Sequence, residues 1–205
     1  MAPYVDDKTE VIKRRYDRTA RFYDWMDRMI NPRLRKEALS HANGKVLEVG
    51  VGTGKNLEFY PKGCQVTGID FSPGMLAKAR QKLHLAKVPV DLIEMDAQNM
   101  SFEDGSFDTV VSTCVFCSVP NPVKGLQEVR RVCKPQGRII LLEHVRSENV
   151  ILGALMDILN PMSLYMVGSN INRRTVENVQ KAQIKPVEIQ DNFGKILKLI
   201  IASPE

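Results

Sequence analysis

Apolar positions recur along this chain in two rhythms that alternate. Residues 8–30 place Ile12, Tyr16, Ala20, Tyr23, Met26 and Ile30 three or four apart, the spacing of one helix face. A short apolar run follows in KVLEVG (45–50), compact enough for a buried strand, and a helix is expected after the glycines that close it. CQVTGID (64–70) predicts a second strand. SPGMLAKARQKL (72–83) predicts a helix with Ser72 as N-cap and Pro73 at the first helical position. VDLIEMD (90–96) and SFDTVVST (106–113) predict strands three and four. NPVKGLQEVRRVCKP (121–135) aligns Leu126, Val129 and Val132 on one helix face, with Pro135 after its end. GRIILLEHV (137–145) predicts strand five. KPVEIQDNFGKILKLIIAS (185–203) reads as two strands joined by a turn at Asn192–Gly194. Strands alternating with helices imply an α/β fold, a parallel sheet with helices on both faces and right-handed crossovers.

Composition narrows the function classes. The 205 residues suit one domain; 43% are hydrophobic and 26% charged, which describes a globular chain. A net charge of +5 without a basic, aromatic-laced stripe gives no case for nucleic acid. The charged first thirty residues are not expected to act as a signal peptide, and Cys64, Cys114, Cys117 and Cys133 are expected as reduced thiols in the cytoplasm. Cys114 and Cys117 have half the spacing of a metal site, but no second pair follows, so no metal is expected.

In a parallel sheet ligands bind beyond the carboxyl ends of the strands. EVGVGTGKN (48–56) sits there and carries Gly50, Gly52 and Gly54 within five positions. The loop reads either as a nucleotide or nucleoside cradle or as a tight turn under close helix packing. Asp70 ends strand two, sixteen residues after Gly54, where a carboxylate can accept from ribose hydroxyls; it can equally serve the start of the following helix. Asp96 ends strand three in a similar place. The G-x-G-x-G spacing departs from the dinucleotide fingerprint, and two acids beside the loop would repel a pyrophosphate, although a nicotinamide enzyme stays an alternative.

VLEVGVGTG, VTGIDFSPGMLAKAR, EMDAQNMSFEDGSFDTVVST and LQEVRRVCKPQGRIILLEH resemble, in order, the motifs of class I S-adenosylmethionine-dependent methyltransferases. YDRTARFYD (16–24) is similar to a signature of the quinone-biosynthesis C-methyltransferases and bacterial phosphatidylethanolamine N-methyltransferases. The 113–145 stretch is similar to animal thiol methyltransferases. The resemblance implies a Rossmann-like, seven-stranded, mostly parallel sheet with an antiparallel last strand. It implies S-adenosylmethionine as cofactor. Gly50, Gly52 and Gly54 would let the backbone approach the donor, and Glu48 would lie near its methionine end. Asp70 would hold the ribose hydroxyls, Phe71 and Met75 would pack near the adenine, and Asp96 with the Ala97 backbone would address its amine. Thr113 and Cys114 would line the methyl-transfer position. One domain, 1–205, is expected, with an N-terminal helical lid (1–42) and a lid insertion after strand five (146–172).

A base at the carboxyl end of the sheet would be His144, read equally as a histidine satisfied by neighbouring backbone. Tyr16 and Tyr23 would close over the donor or orient the acceptor, or simply pack a lid helix. Residues 8–21 hold six Lys or Arg against two acids on an apolar-striped helix, which suits an anionic membrane surface or plain solvation. VILGALMDILNPMSLYMVG (150–168) is apolar and methionine-rich, but Asp157 and Asn160-Pro161 interrupt it, so it predicts no membrane span. It suits an irregular apolar acceptor. Arg173 and Arg174 offer a cation to a phosphate, or precede a helix that Asn172 caps. The expected acceptor is therefore amphiphilic: first the amine of a phosphatidylethanolamine-type lipid, with small hydrophobic thiols or a quinone precursor as alternatives. The protein would be cytoplasmic and peripheral on the inner face of a membrane. A nonenzymatic donor-binding module stays open as a different class.

Overall fold

A computed structural model describes residues 7–19, 30–166 and 168–205. Seven strands form one sheet, β1 (Lys45–Val49), β2 (Gln65–Asp70), β3 (Val90–Glu94), β4 (Phe107–Thr113), β5 (Cys133–His144), β6 (Lys185–Asn192) and β7 (Leu197–Ser203). Their spatial order is β3-β2-β1-β4-β5-β7-β6. The first five run parallel, and β7 enters antiparallel to both β5 and β6. The chain order reverses between β1 and β4, which places the switch point beside the glycine loop.

The helices are α1 (Asp7–Thr19), α2 (Pro32–Ser40), α3 (Pro73–Gln81), α4 (Pro122–Val132), α5 (Val150–Met166) and α6 (Thr175–Lys181). The α3 cap forms as the sequence implies, with Ser72 Oγ accepting from Met75 N at 3.1 Å and Pro73 opening the helix. Asn121 caps α4 in the same way, accepting from Lys124 N at 3.0 Å. Strand alternation builds two cores. Leu47, Val110, Ile139 and Ile200 pack with Leu126 and Val129 of α4 on one face, while Val46, Val111, Ile140 and Leu199 pack with Leu39 of α2 on the other.

Three local expectations change. The segment after the glycine loop is a run of turns over 52–59 rather than a helix. Its bonds, such as Gly54 N to Val51 O and Phe59 N to Asn56 O, reach back three residues, and positive φ at Gly52 and Gly54 breaks any regular ladder. Strand five starts earlier than Gly137, because Cys133 already pairs with Phe107 before an irregularity separates that pair from Thr109 and Arg138. The Asn160-Pro161 pair does not break α5, which runs through it as one helix. Of the predicted first helix, residues 20–29, Tyr23 among them, lie outside the described residues.

Candidate functional site

The carboxyl ends of β1, β2, β3 and β4 open on a cavity that is partly open to solvent. Tyr16, Glu48, Gly50, Gly52, Asp70, Phe71, Met75, Asp96, Ala97, Thr113 and Cys114 all line it. Eleven positions expected at the site from scattered motifs thus meet in one place.

At the floor, Glu48 is buried on β1. Asn56 Nδ2 donates to its Oε1 at 2.8 Å and the Tyr60 hydroxyl to its Oε2 at 2.8 Å. Asn56 also donates to Thr113 Oγ1 at 3.0 Å and accepts from Arg35 Nη1 at 2.9 Å. Burial pushes the Glu48 carboxyl up to about 7, against the lowering pull of the Tyr60 and Asn56 hydrogen bonds and of the Arg35 charge. Asp70 accepts from Gly52 N and Ser72 N, each at 2.9 Å, and burial lifts its carboxyl to about 6. Each of its oxygens keeps a lone pair for a further donor. At Gly52, φ is +56° and the nearest atom to an added Cβ is 3.9 Å away, so the backbone there faces open space.

Asp96 accepts from Gln98 N at 2.8 Å. Gln98 in turn reaches Thr9 of α1 at 3.3 Å and accepts from Asn121 N at 2.9 Å. The same residue that orients the acid therefore ties α1 to the α4 cap. Tyr16 closes the cavity from α1, hydrogen-bonded to Ser118 and set edge-on to Phe71 with ring centroids 5.9 Å apart.

The loop after β4 contains a strained residue. Cys114 has φ +53°, a left-handed conformation that costs a non-glycine residue roughly 1–2 kcal/mol. Glu143 holds that turn. Its buried carboxylate accepts from Ser112 Oγ at 2.8 Å, Val115 N at 3.1 Å and Phe116 N at 3.3 Å, and burial raises it to about 7.

Two expected residues stand elsewhere. Gly54 packs against Leu57 and Ala79 of α3, where an added Cβ would come within 2.8 and 3.1 Å. It serves helix packing and does not line the cavity. His144 lies two residues past Leu142, the sheet partner of Thr113, and is not a lining residue either. Its carbonyl accepts from Thr175 Oγ1 at 3.4 Å, and burial lowers the imidazole pKa. The described residues contain no cluster of three or more His, Cys, Asp or Glu side chains able to hold a metal ion.

Arg35, Asn56, Tyr60 and Glu143 had no assigned role in the sequence reading. Glu143 carried a visible signal, a lone acid inside the apolar run IILLEHV, where an unpaired charge would be too costly. Asn56 carried none beyond following the glycines.

Residues 47–141 match a family described as a methyltransferase domain. The chain is 38% identical over 151 residues to a phosphatidylethanolamine N-methyltransferase of Cereibacter sphaeroides, covering 71% of this chain and 74% of that protein. It is 35% identical over 150 residues to the thiol S-methyltransferase TMT1B of Rattus norvegicus, covering 71% of this chain and 62% of that protein. In architecture it is similar to a SAM-dependent methyltransferase of Thermotoga maritima, at a TM-score of 0.71 and 19% identity over 94% of this chain and 99% of that one.

Proposed function

The chain belongs to the S-adenosylmethionine-dependent methyltransferases, and we propose that its acceptor is the amine of a phosphatidylethanolamine-type phospholipid. When bound, S-adenosylmethionine supplies a sulfonium-activated methyl group that is already electrophilic. The cavity fits that donor on two grounds: its buried acids, Glu48 and Asp70, suit a cationic ligand, and the open backbone at Gly52 leaves room for close approach. In this reading Glu48 holds the methionine end and Asp70 the ribose hydroxyls. Phe71 and Met75 flank the adenine, Asp96 and the Ala97 backbone address its amine, and Thr113 and Cys114 border the transfer position.

The protein then has to align the acceptor, exclude water and accept a proton, since an ammonium has no lone pair until it is deprotonated. Burial pushes the Tyr16 phenol up, so it stays neutral and orients the acceptor together with Ser118. Tyr23, outside the described residues, is proposed to share that role. His144, expected as the acceptor of that proton, lies outside the cavity lining and is not assigned the role. The N-terminal segment (1–42) and the segment after β5 (146–172) are proposed as lids over donor and acceptor. The protein is proposed to be cytoplasmic and to meet its acceptor at a membrane surface. Among the described residues no helix is long and apolar enough to cross one.

Arg173 carries the lipid reading. Its Nη2 donates at 2.8 Å to the carbonyl of Val119, a cavity-lining residue, while its buried Nε has no hydrogen-bond partner among the described residues. A partly buried guanidinium in that condition suits a phosphodiester, which binds such a fork tightly. Small thiols are the second reading, supported by the likeness to the thiol methyltransferase. Methyl transfer from labelled S-adenosylmethionine to phosphatidylethanolamine in mixed micelles, run beside small alkyl thiols, decides between them. Product on the lipid amine alone is expected; product on the thiols alone overturns the reading. Arg173→Met should raise KM for the lipid roughly tenfold, the loss of one charge-assisted hydrogen bond, while leaving the donor dissociation constant unchanged.

A further inference from the structure

α5 packs on the protein through Gly153 and Met156 and turns the rest of its apolar surface outward. Ile151 is 82% exposed, Ile158 75%, Tyr165 75% and Met162 56%, and with Leu155 they form one stripe along the helix. The spacing alternates four and three residues, as in a helix-pairing seam. The flanks differ from such a seam. Leu152, Leu159 and Met166 are exposed beside the stripe, where paired helices carry charges. The only charged residue of α5, Asp157, is still solvent-exposed but is bonded to Arg146 Nη2 at 2.8 Å and to Asn172 Nδ2 at 3.0 Å.

A basic rim borders this face. Arg15 of α1 donates to the Leu164 carbonyl at 2.5 Å, and its guanidinium lies 5.8 Å from the centre of the Tyr165 ring. Arg14 is exposed on the same helix, whereas Lys13 pairs with Glu94 of β3 at 2.6 Å. At the start of α5, the β6–β7 turn exposes Phe193 and Lys195, placed at that end of the sheet by the pairing of His144 with Leu197.

We propose that the outer face of α5 docks on an anionic phospholipid bilayer, with Arg14 and Arg15 of α1 at the headgroups. The proposal rests on the phospholipid reading of the cavity, whose mouth α1 closes through Tyr16. A wide apolar stripe with a cationic border and an interfacial tyrosine is the pattern of a helix lying in the membrane plane. At 17 residues, α5 is about 25 Å long, short of the roughly 30 Å hydrocarbon core, so it lies on the bilayer rather than through it. Docked this way, the protein meets its lipid acceptor beside the cavity.

The test is cosedimentation of the full chain with phosphatidylcholine vesicles, with and without phosphatidylglycerol, at low and high salt. Binding is expected to need the anionic lipid and to weaken with salt. Ile151→Glu combined with Ile158→Glu should reduce it about tenfold or more, with donor binding by calorimetry and the melting temperature unchanged. Vesicle binding that survives the double variant overturns the proposal. So does a wild-type dimer in sedimentation velocity that the variant converts to monomer, because a second copy would then cover the face. Vesicle binding lost in the variant, with no methylation by the wild type when phosphatidylethanolamine is included in the anionic vesicles, upholds the surface and sinks the acceptor. Methylation of a short-chain, micellar phosphatidylethanolamine by a protein whose vesicle binding ignores the variant upholds the acceptor and sinks the surface.

Discussion

The floor of the cavity and the outer face of α5 lie on one chain under opposite rules. At the floor, Glu48, Asn56, Tyr60 and Arg35 are polar groups taken out of water and joined, with Thr113, in one network. On α5, Ile151, Ile158 and Met162 are apolar groups left in water. The first region has met the cost of its burial internally, with partners supplied by α2, β1, β4 and the turns after the glycine loop. The second would recover its cost only from an occupant. A site for a donor of fixed shape can be built in advance; a site facing a fluid, variable partner can be left unfinished.

Breaking the network should have the largest effect. Asn56→Leu removes bonds to Glu48, Arg35 and Thr113, two of them to charged groups, and should cost about 3–5 kcal/mol of stability in denaturant unfolding. A loss below about 1 kcal/mol would mean that the network is not cooperative. Asp70→Ala should weaken S-adenosylmethionine binding by roughly 1.5–3 kcal/mol in calorimetry, the range for a charged hydrogen-bond partner. An unchanged dissociation constant would remove Asp70 from the donor site.

pH tests the same carboxylates without mutation. Glu48 and Glu143 lie near 7 and Asp70 near 6 in the folded protein, all above their unfolded values. The stability they contribute is fully present below the unfolded values, near 4 to 4.5, and is lost as pH rises through 6 and 7. Affinity for a cationic donor should move the other way, tightening from pH 5.5 to pH 8 as Glu48 and Asp70 ionise. Parallel trends in melting temperature and donor affinity would contradict the assignment.

Gly52→Ala sharpens the comparison further. The left-handed backbone costs roughly 1–2 kcal/mol, but no protein atom lies within 3.9 Å of the new methyl, so a loss of donor affinity in calorimetry beyond that figure would mark space used by the ligand. The smallest effect belongs to α5. Replacing Ile158 by Ser should leave thermal stability within about 0.5 kcal/mol, because that side chain is already in solvent. A larger loss would show that the face is covered in the free protein.

Much of this was legible in the sequence, for identifiable reasons. The run KVLEV, the Ser72-Pro73 cap and the Leu126, Val129 and Val132 stripe each announce their element, because local periodicity and capping chemistry need no distant partner. The ordered motifs carried the family and the donor. Gly54 was legible as either a cradle or a turn under close helix packing, but its partner was not, since Ala79 lies 25 positions away and only the fold brings it near. Glu143 shows the same limit: an acid in an apolar strand announces that it has partners without naming them.

The order of elements, the two faces of each strand and the chemistry gathered at the strand ends were therefore set by sequence alone, since all follow from short-range pattern. Tertiary structure alone decided that Asn56 bridges Glu48 to Arg35, that Glu143 holds the Cys114 turn, and that Gly54 faces α3 instead of the cavity. It also decided which apolar residues of α5 stay in water. A stretch of isoleucine, leucine and methionine reads the same in a core and on a docking face. Only the position of every other element tells which side of the helix has been left uncovered.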